Sequence, residues 1–360
     1  MTEEDPPARR PAILDWKGAV GIALSLAFLY WAFRDVHFRE IARHVSEADP
    51  VLLGLSVIVA TVLFPIRALR WKPLLEPAYP QTRFHPRFAA TCIGFMANNL
   101  LPARIGEFVR AYALSRLEPI RMSASFGSLV VERMFDAVVV VTMLVVSMAW
   151  PGFPDLSGTD FQGIALGLAA AVVVGFGILL MMVVRPERSV RLFERTVLRL
   201  LPSRVRRLIV DALRAFIGGV AAVREPRLIV RILAWSALLW STNALAFWLG
   251  FLAFDIHLPL VAGFFLQSVI ALAVSLPSAP GFFGLFEAGA RIGLVDVWGV
   301  DSSRALAYAV GFHIATFLPV TFIGLYYVWR LGISWGEVKA SEEAVETDVE
   351  SQEPGAGATP

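Results

Sequence analysis

Cysteine is almost absent: Cys92 is the single one in 360 residues. One thiol excludes an intrachain disulfide framework, a thiolate zinc site and a CxxC redox pair. Charge is scarce as well, at 17% Asp, Glu, Lys and Arg against 57% apolar residues, where an average soluble protein carries roughly a quarter charged. That balance excludes an ordinary cytosolic enzyme. The five histidines (His37, His44, His85, His257, His313) are scattered without an HExxH, and neither GxSxG nor a Walker loop occurs. Zinc-protease, serine-hydrolase and nucleotide-driven chemistry therefore have no motif, and no metal or cofactor is expected.

What the chain has instead is long uncharged runs: Phe161 to Val184 (24 residues), Ile232 to Phe254 (23) and Ala305 to Trp329 (25). Each exceeds the roughly 20 helical residues that cross a hydrocarbon core of about 30 Å. The chain reads as an all-α polytopic membrane protein with spans near 17–33, 50–67, 122–150, 161–184, 231–254 and 304–330. Arg9, Arg10 and Lys17 precede the first apolar run, but no small-x-small cleavage site follows it, so an uncleaved first span is expected.

Two further apolar segments are interrupted. Phe88 to Leu101 ends in Asn98-Asn99-Leu100-Leu101-Pro102 and turns polar at Arg104, Glu107 and Arg110; Leu258 to Phe286 is broken by Pro277, Pro280, Gly281 and Gly284. Proline lacks an amide hydrogen and glycine costs backbone entropy, so neither segment is expected to be a straight helix. Both read as re-entrant or broken helical hairpins, which gives six full spans plus two hairpins, about eight membrane segments. Lys and Arg are retained on the cytoplasmic side in short loops. With both termini inside, 26 of the 32 basic residues fall in inside segments, against five outside. The inside segments are then residues 1–16, the region from Arg67 to Arg121, the basic amphipathic loop 185–231 and an acidic, disordered tail at 336–360. The order span, span, hairpin, span occurs twice with opposite orientation, at about 17–150 and 161–330. Leu101-Pro102 leading to Gly106, Glu107 and Arg110 echoes Leu276-Pro277 leading to Gly284, Glu287 and Arg291. Inverted repeats with paired broken helices are the plan of transporters that bind substrate near the midplane.

Ionisable groups at membrane depth are costly unless paired, so each is a candidate. Arg104, Glu107 and Arg110 lie within about a 120° arc of a helix, a net positive face suited to phosphate, with Asn98 and Asn99 as neutral donors beside it. Glu132 and Asp136 share a helix face next to Arg133, which suits them to hold an arginine of the first cluster. Glu287 and Arg291 have the favoured order for an intrahelical pair. His313 is read as a lone histidine satisfied by a backbone carbonyl, with proton coupling as the alternative. Arg188, Arg191, Arg195 and Arg199 with interleaved leucines are expected to lie on anionic lipid headgroups. Nucleic acid is not expected as a partner, since aromatic interleaving is minimal.

Asn98-Asn99-Leu100-Leu101-Pro102-Ala103-Arg104-Ile105-Gly106-Glu107, then Glu132-Arg133-x-x-Asp136, then Pro277-x-x-Pro280-Gly281-x-x-Gly284-x-x-Glu287 together resemble the lysylphosphatidylglycerol synthase transmembrane, or flippase-like, family over about residues 17–335. In bifunctional members the membrane region is thought to flip a lipid that a separate soluble domain makes. The resemblance implies the translocating module without the aminoacyl transferase: a transporter and not an enzyme, in a bacterial or archaeal cytoplasmic membrane. Its substrate is then a phospholipid or other polar lipid, with a homo-oligomer or a lipid synthase as further partners. Arg104 and Arg110 would neutralise the phosphate while Asn99 and Glu107 contact the rest of the head, with Gly281, Gly284, Glu287 and Arg291 on the opposite hairpin. Where a second glycine is expected near Gly281, this chain has Phe282-Phe283. An intramembrane enzyme using Glu107 or Asp136 as base, and a scaffold for a lipid synthase, remain the alternatives.

Overall fold

A computed structural model of the chain describes residues 16–34, 36–101, 105–155 and 225–334, with isolated positions at 163, 167, 170, 174 and 336. The expected span 161–184, the basic loop up to residue 224, Arg104 and the acidic tail beyond 336 lie outside the described residues. In chain order the described helices are α1 (Trp16–Phe33), α2 (Phe38–Glu47), α3 (Pro50–Leu75), α4 (Phe84–Leu100), α5 (Gly106–Leu117) and α6 (Met122–Met148). They continue with α7 (Pro226–Ala253), α8 (Leu260–Ala273), a 3-10 turn (Pro280–Phe282), α9 (Leu285–Ala290), a π-helical turn (Arg291–Val297) and α10 (Ser302–Leu331). No strand occurs among the described residues.

Three of these helices, α3, α7 and α10, are long and apolar enough to cross a membrane. Their outer faces agree with that reading. Val51, Leu55, Ile58, Val62 and Leu69 are exposed along α3, and Ile314, Leu318, Phe322, Tyr326 and Trp329 along α10. Spacings of three to four residues line these side chains up on one helix face, an apolar stripe that water would not tolerate and lipid does. α6 has 27 residues, but Glu132, Arg133 and Asp136 interrupt its apolar run.

One boundary differs from the sequence expectation. α3 starts as expected at Pro50, behind the N-cap Asp49, whose side chain accepts from the amides of Val51 (2.8 Å) and Leu52 (3.1 Å), and the missing N–H of Pro50 costs nothing at the first helical position. The helix then runs past Arg67 to Leu75. The expected end at residue 67 treated that arginine as a loop charge, whereas Arg70 inside the helix is fully buried. A short helix, α2, also fills the stretch between the first two spans.

Both interrupted segments are helical hairpins. α4 and α5 fold back on each other so that Gly94 meets Gly106 and Arg110: a Cβ on Gly94 would stand 2.7 Å from the Gly106 carbonyl oxygen. Only glycine lets the two backbones approach so closely. α8 and α9 do the same, with Gly289 against Ile270 and Gly293 against Leu266. With 17 residues α4 is about 26 Å long, and with 14 residues α8 is about 21 Å, each shorter than the hydrocarbon core.

The packing of the two halves is reciprocal. α3 lies along α7; the first arm of the first hairpin, α4, packs on α10, while the first arm of the second hairpin, α8, packs on α6. One apolar core gathers around α4, α5 and α6 with Trp71, Ile93, Met96 and Leu114 at its centre. The second gathers around α7, α8 and α10 with Phe251, Leu266, Tyr308 and Phe312.

Candidate functional site

The first core encloses a cluster of charges drawn from α3, α5 and α6, with neutral partners from α7. Arg70 of α3 reaches across to α6, where it ion-pairs with both oxygens of Asp136 (Nη2 to Oδ2, 3.1 Å) and with Glu132 Oε1 at 2.9 Å. It also donates to Ser236 Oγ at 3.2 Å. Trp240 Nε1 of α7 donates to Asp136 Oδ1 at 3.0 Å. Arg110 of α5 donates to Glu132 Oε1 at 2.9 Å and lies 3.9 Å over the Trp71 ring. The sequence expectation that the acids of α6 hold an arginine of the first hairpin is met in this contact. Arg133 approaches the same acids, at 3.2 Å from Glu132 and 3.6 Å from Asp136, while Arg67 stacks over Phe95 at 4.8 Å.

Depth divides these groups. Arg70, Arg110, Glu132 and Asp136 are buried, whereas Arg67, Glu107 and Arg133 are half-buried at the rim. Four guanidiniums face two contacting carboxylates, so the cluster is net positive. Its arginines are also incompletely used: Arg67 Nη1, Arg70 Nε, Arg110 Nε and Nη2 and Arg133 Nε have no hydrogen-bond partner among the described residues. A buried N–H without an acceptor costs about 1–3 kcal/mol, more when charged, and five such nitrogens around one cluster are what an anion with several oxygens would satisfy.

The expected site residues divide between this cluster and the hairpin breaks. Asn98 Oδ1 accepts from the Gly106 amide at 2.8 Å, capping the start of α5, and Asn99 Nδ2 donates to Thr321 Oγ1 of α10 at 2.8 Å. Both asparagines thus hold the first hairpin in place. Asn98→Ala is expected to lose roughly 1 kcal/mol of stability, the net worth of one hydrogen bond, measurable as a lower thermal midpoint in detergent. In the second hairpin Glu287 Oε2 accepts from the Gly284 amide at 2.6 Å, so there the cap comes from the helix that follows the break. One expectation is corrected there. Glu287 Oε1 meets His313 Nδ1 at 2.9 Å, so His313 is no lone histidine on a carbonyl. Arg291 opens the π-helical turn; its Nη1 donates to the Ala32 carbonyl at 2.7 Å and its guanidinium lies 5.3 Å over Trp31. Gly281 and Gly284 have positive φ of 70° and 90°, and Phe282, where glycine was expected, adopts φ 62°. The sequence reading missed Arg67, Arg70, Ser236, Trp240 and the partner of His313. The signal for the first two is Arg67-x-x-Arg70-Trp71, which continues the helical period of the span that precedes it.

Fold and site together define an integral membrane protein built around a buried, net positive charge cluster flanked by two broken helical hairpins. The sequence pattern of the lysylphosphatidylglycerol synthase TM region matches residues 18–324, and the chain belongs to that family. Glycosyltransferase AglD of Haloferax volcanii is 27% identical over 327 residues, which cover 84% of this chain and 51% of that protein. The chain thus spans about half the length of that relative. Two UPF0104 membrane proteins of Methanothermobacter thermautotrophicus are 24% and 25% identical, covering 88% and 89% of this chain and 92% and 97% of their own. The first of these relatives overturns one expectation. A protein named a glycosyltransferase shares 84% of this chain, so the reading of the chain as no enzyme is withdrawn.

Proposed function

We propose that the chain binds the anionic head of a membrane lipid at the buried arginine cluster and carries it between leaflets. The observation that bears most weight is the set of unpartnered guanidinium nitrogens on Arg67, Arg70, Arg110 and Arg133. A phosphate offers several acceptor oxygens to such a set, in charge-assisted bonds roughly twice as strong as neutral ones. The rim formed by Arg67, Glu107 and Arg133 is the entry, and the acyl chains stay in the bilayer. Reciprocal packing of α4 on α10 and α8 on α6 supports an inverted repeat of residues 17–150 and 161–330. In such repeats the two hairpins are re-entrant and the site alternates its access. The excess of Lys and Arg in the inside segments survives removal of Arg67, Arg70 and Arg110, which belong to the cluster. It supports both termini on the cytoplasmic side, with the 185–231 loop on anionic headgroups.

The test is leaflet exchange of acyl-labelled phosphatidylglycerol in vesicles of phosphatidylcholine and phosphatidylglycerol. The full chain is expected to accelerate exchange over protein-free vesicles, and Arg110→Gln to slow it at least tenfold. That loss follows from removing a charged hydrogen bond of about 1.5–3 kcal/mol. Exchange no faster than in protein-free vesicles for any anionic lipid would sink the proposal. The name of the Haloferax relative, a glycosyltransferase, favours a second reading, a group transfer to a lipid at the same cluster. It predicts a change in the mass of the lipid, where translocation predicts none.

A further inference from the structure

The second hairpin holds an ionisable pair that phosphate binding leaves unused. Glu287 is 1% and His313 6% exposed, with Oε1 and Nδ1 2.9 Å apart across α9 and α10. Because Oε2 of the same carboxylate accepts from Gly284, one side chain ties the turn at Gly284 to α10. The imidazole is enclosed by aromatic rings, with Phe286 stacked at 4.2 Å and Phe283 at 4.7 Å. Its Nε2 has no hydrogen-bond partner among the described residues. In such surroundings a carboxylate needs the two partners it has here, the Gly284 amide and the imidazole.

Several charged and titratable groups stand on the elements packed around the pair. Next on the same segment, Arg291 is engaged with Ala32 and Trp31, and Asp296 follows it. α1 carries Lys17 and Tyr30 and α8 no titratable side chain, while α4 has His85, Arg87 and the buried Cys92. α3 contributes Arg67, Arg70 and Lys72, the two arginines lying in the first cluster. α7 contributes Arg227 and Arg231 at its start, with Arg231 bound to Glu76. From α2, Glu40 accepts from Ser303, and Arg43 and His44 approach Glu47; Arg39 completes that helix. On α10 itself Arg304 pairs with Asp255, and Tyr308 and Tyr327 are buried.

We propose that Glu287 and His313 form a proton-binding site that drives the translocation, an inference that rests on the lipid-carrying reading above. A proton arriving from one aqueous side binds His313 Nε2, and the Nδ1 proton passes to Glu287 Oε1. The pair becomes a neutral acid beside a neutral imidazole; release on the other side reverses both transfers. Neutralising the carboxylate replaces the charge-assisted bond to the Gly284 amide by a neutral one of about half its strength. Proton binding thereby loosens the turn from α10, and proton loss fastens it again.

In the same phosphatidylglycerol vesicles, a gradient of one pH unit is expected to bias the steady-state leaflet ratio of the labelled lipid about tenfold if one proton accompanies each lipid. His313→Asn, with His313→Gln as a second variant should the first fail to fold, is expected to abolish that bias. Wild-type exchange with no bias, or a folded variant with the full bias, overturns the proton site and leaves translocation standing. Absence of wild-type exchange instead overturns translocation, and the pair is then decided by infrared difference spectroscopy of the full chain in nanodiscs. Acidification is expected to raise a carboxylic-acid carbonyl band that Glu287→Gln removes; a wild type without that band overturns the proposal.

Discussion

Arg70→Ala is expected to lower the stability of the protein by about 3–5 kcal/mol, the cost of breaking a buried pair and leaving its partner uncompensated. Arg70 is fully buried and is the group that contacts both Glu132 and Asp136 from outside their own helix. Removing it leaves Asp136 with Trp240 and Arg133, and leaves Glu132 with Arg110 and Arg133. It also opens a gap between α3 and α6. Arg133→Ala should cost about 1 kcal/mol or less, because its side chain is 41% exposed and solvent screens such pairs. Arg70→Lys should fall between the two: the charge stays while the forked contact to Asp136 is lost. Thermal unfolding of the purified full chain in detergent ranks the three variants. A double Arg70→Ala/Asp136→Ala variant adds an internal check, since its loss should be smaller than the sum of the single losses. If Arg70→Ala unfolds with the wild type, or after Arg133→Ala, the cluster does not hold α3, α6 and α7 together.

How far the sequence discloses this arrangement depends on the range of the signal. The two hairpins are legible because their breaks are local: Pro and Gly forbid a straight helix wherever they sit. The grouping of Arg110 with Glu132 is legible too, since two acids one helical turn apart at membrane depth require a cation. Arg70 escapes because a charge after a long apolar run reads as the end of the span. Nothing within α3 reports that Asp136 lies opposite, 66 residues away. His313 escapes for the same reason, its partner being 26 residues back on another helix. At Phe282 a rule of residue type gave way to tertiary context: φ 62° is reached without glycine, beside Phe283 packed on His313. The packing of each hairpin's first arm, α4 on α10 and α8 on α6, came from the structure.

Gly284→Ala should be as damaging as the loss of Arg70, by a different route. At φ 90° and ψ −50° the residue lies where an L side chain is strained by about 1–3 kcal/mol. An added Cβ would also collide with the backbone of Ser25 on α1, its carbonyl oxygen first and its carbonyl carbon at 3.0 Å. Backbone cannot rotate aside as a side chain can, so either α1 or the turn has to move. Ser25 also accepts from the Ala279 amide at 2.7 Å, so that movement strips a second contact from the hairpin tip and shifts the amide that Glu287 caps. Two other glycines separate strain from collision. Gly299 has φ 67° with nothing within 4 Å of the added carbon, so Gly299→Ala should lose only the roughly 1–2 kcal/mol of a left-handed alanine. Gly281, at φ 70°, faces the rings of Phe317 and Phe283, which can turn, and Gly281→Ala should fall between the two. Thermal midpoints in the order Gly299→Ala, Gly281→Ala, Gly284→Ala, highest to lowest, are expected. Equal midpoints for Gly284→Ala and Gly299→Ala would mean that contact with α1 does not hold the second hairpin, and that the cap from Glu287 suffices to keep its turn.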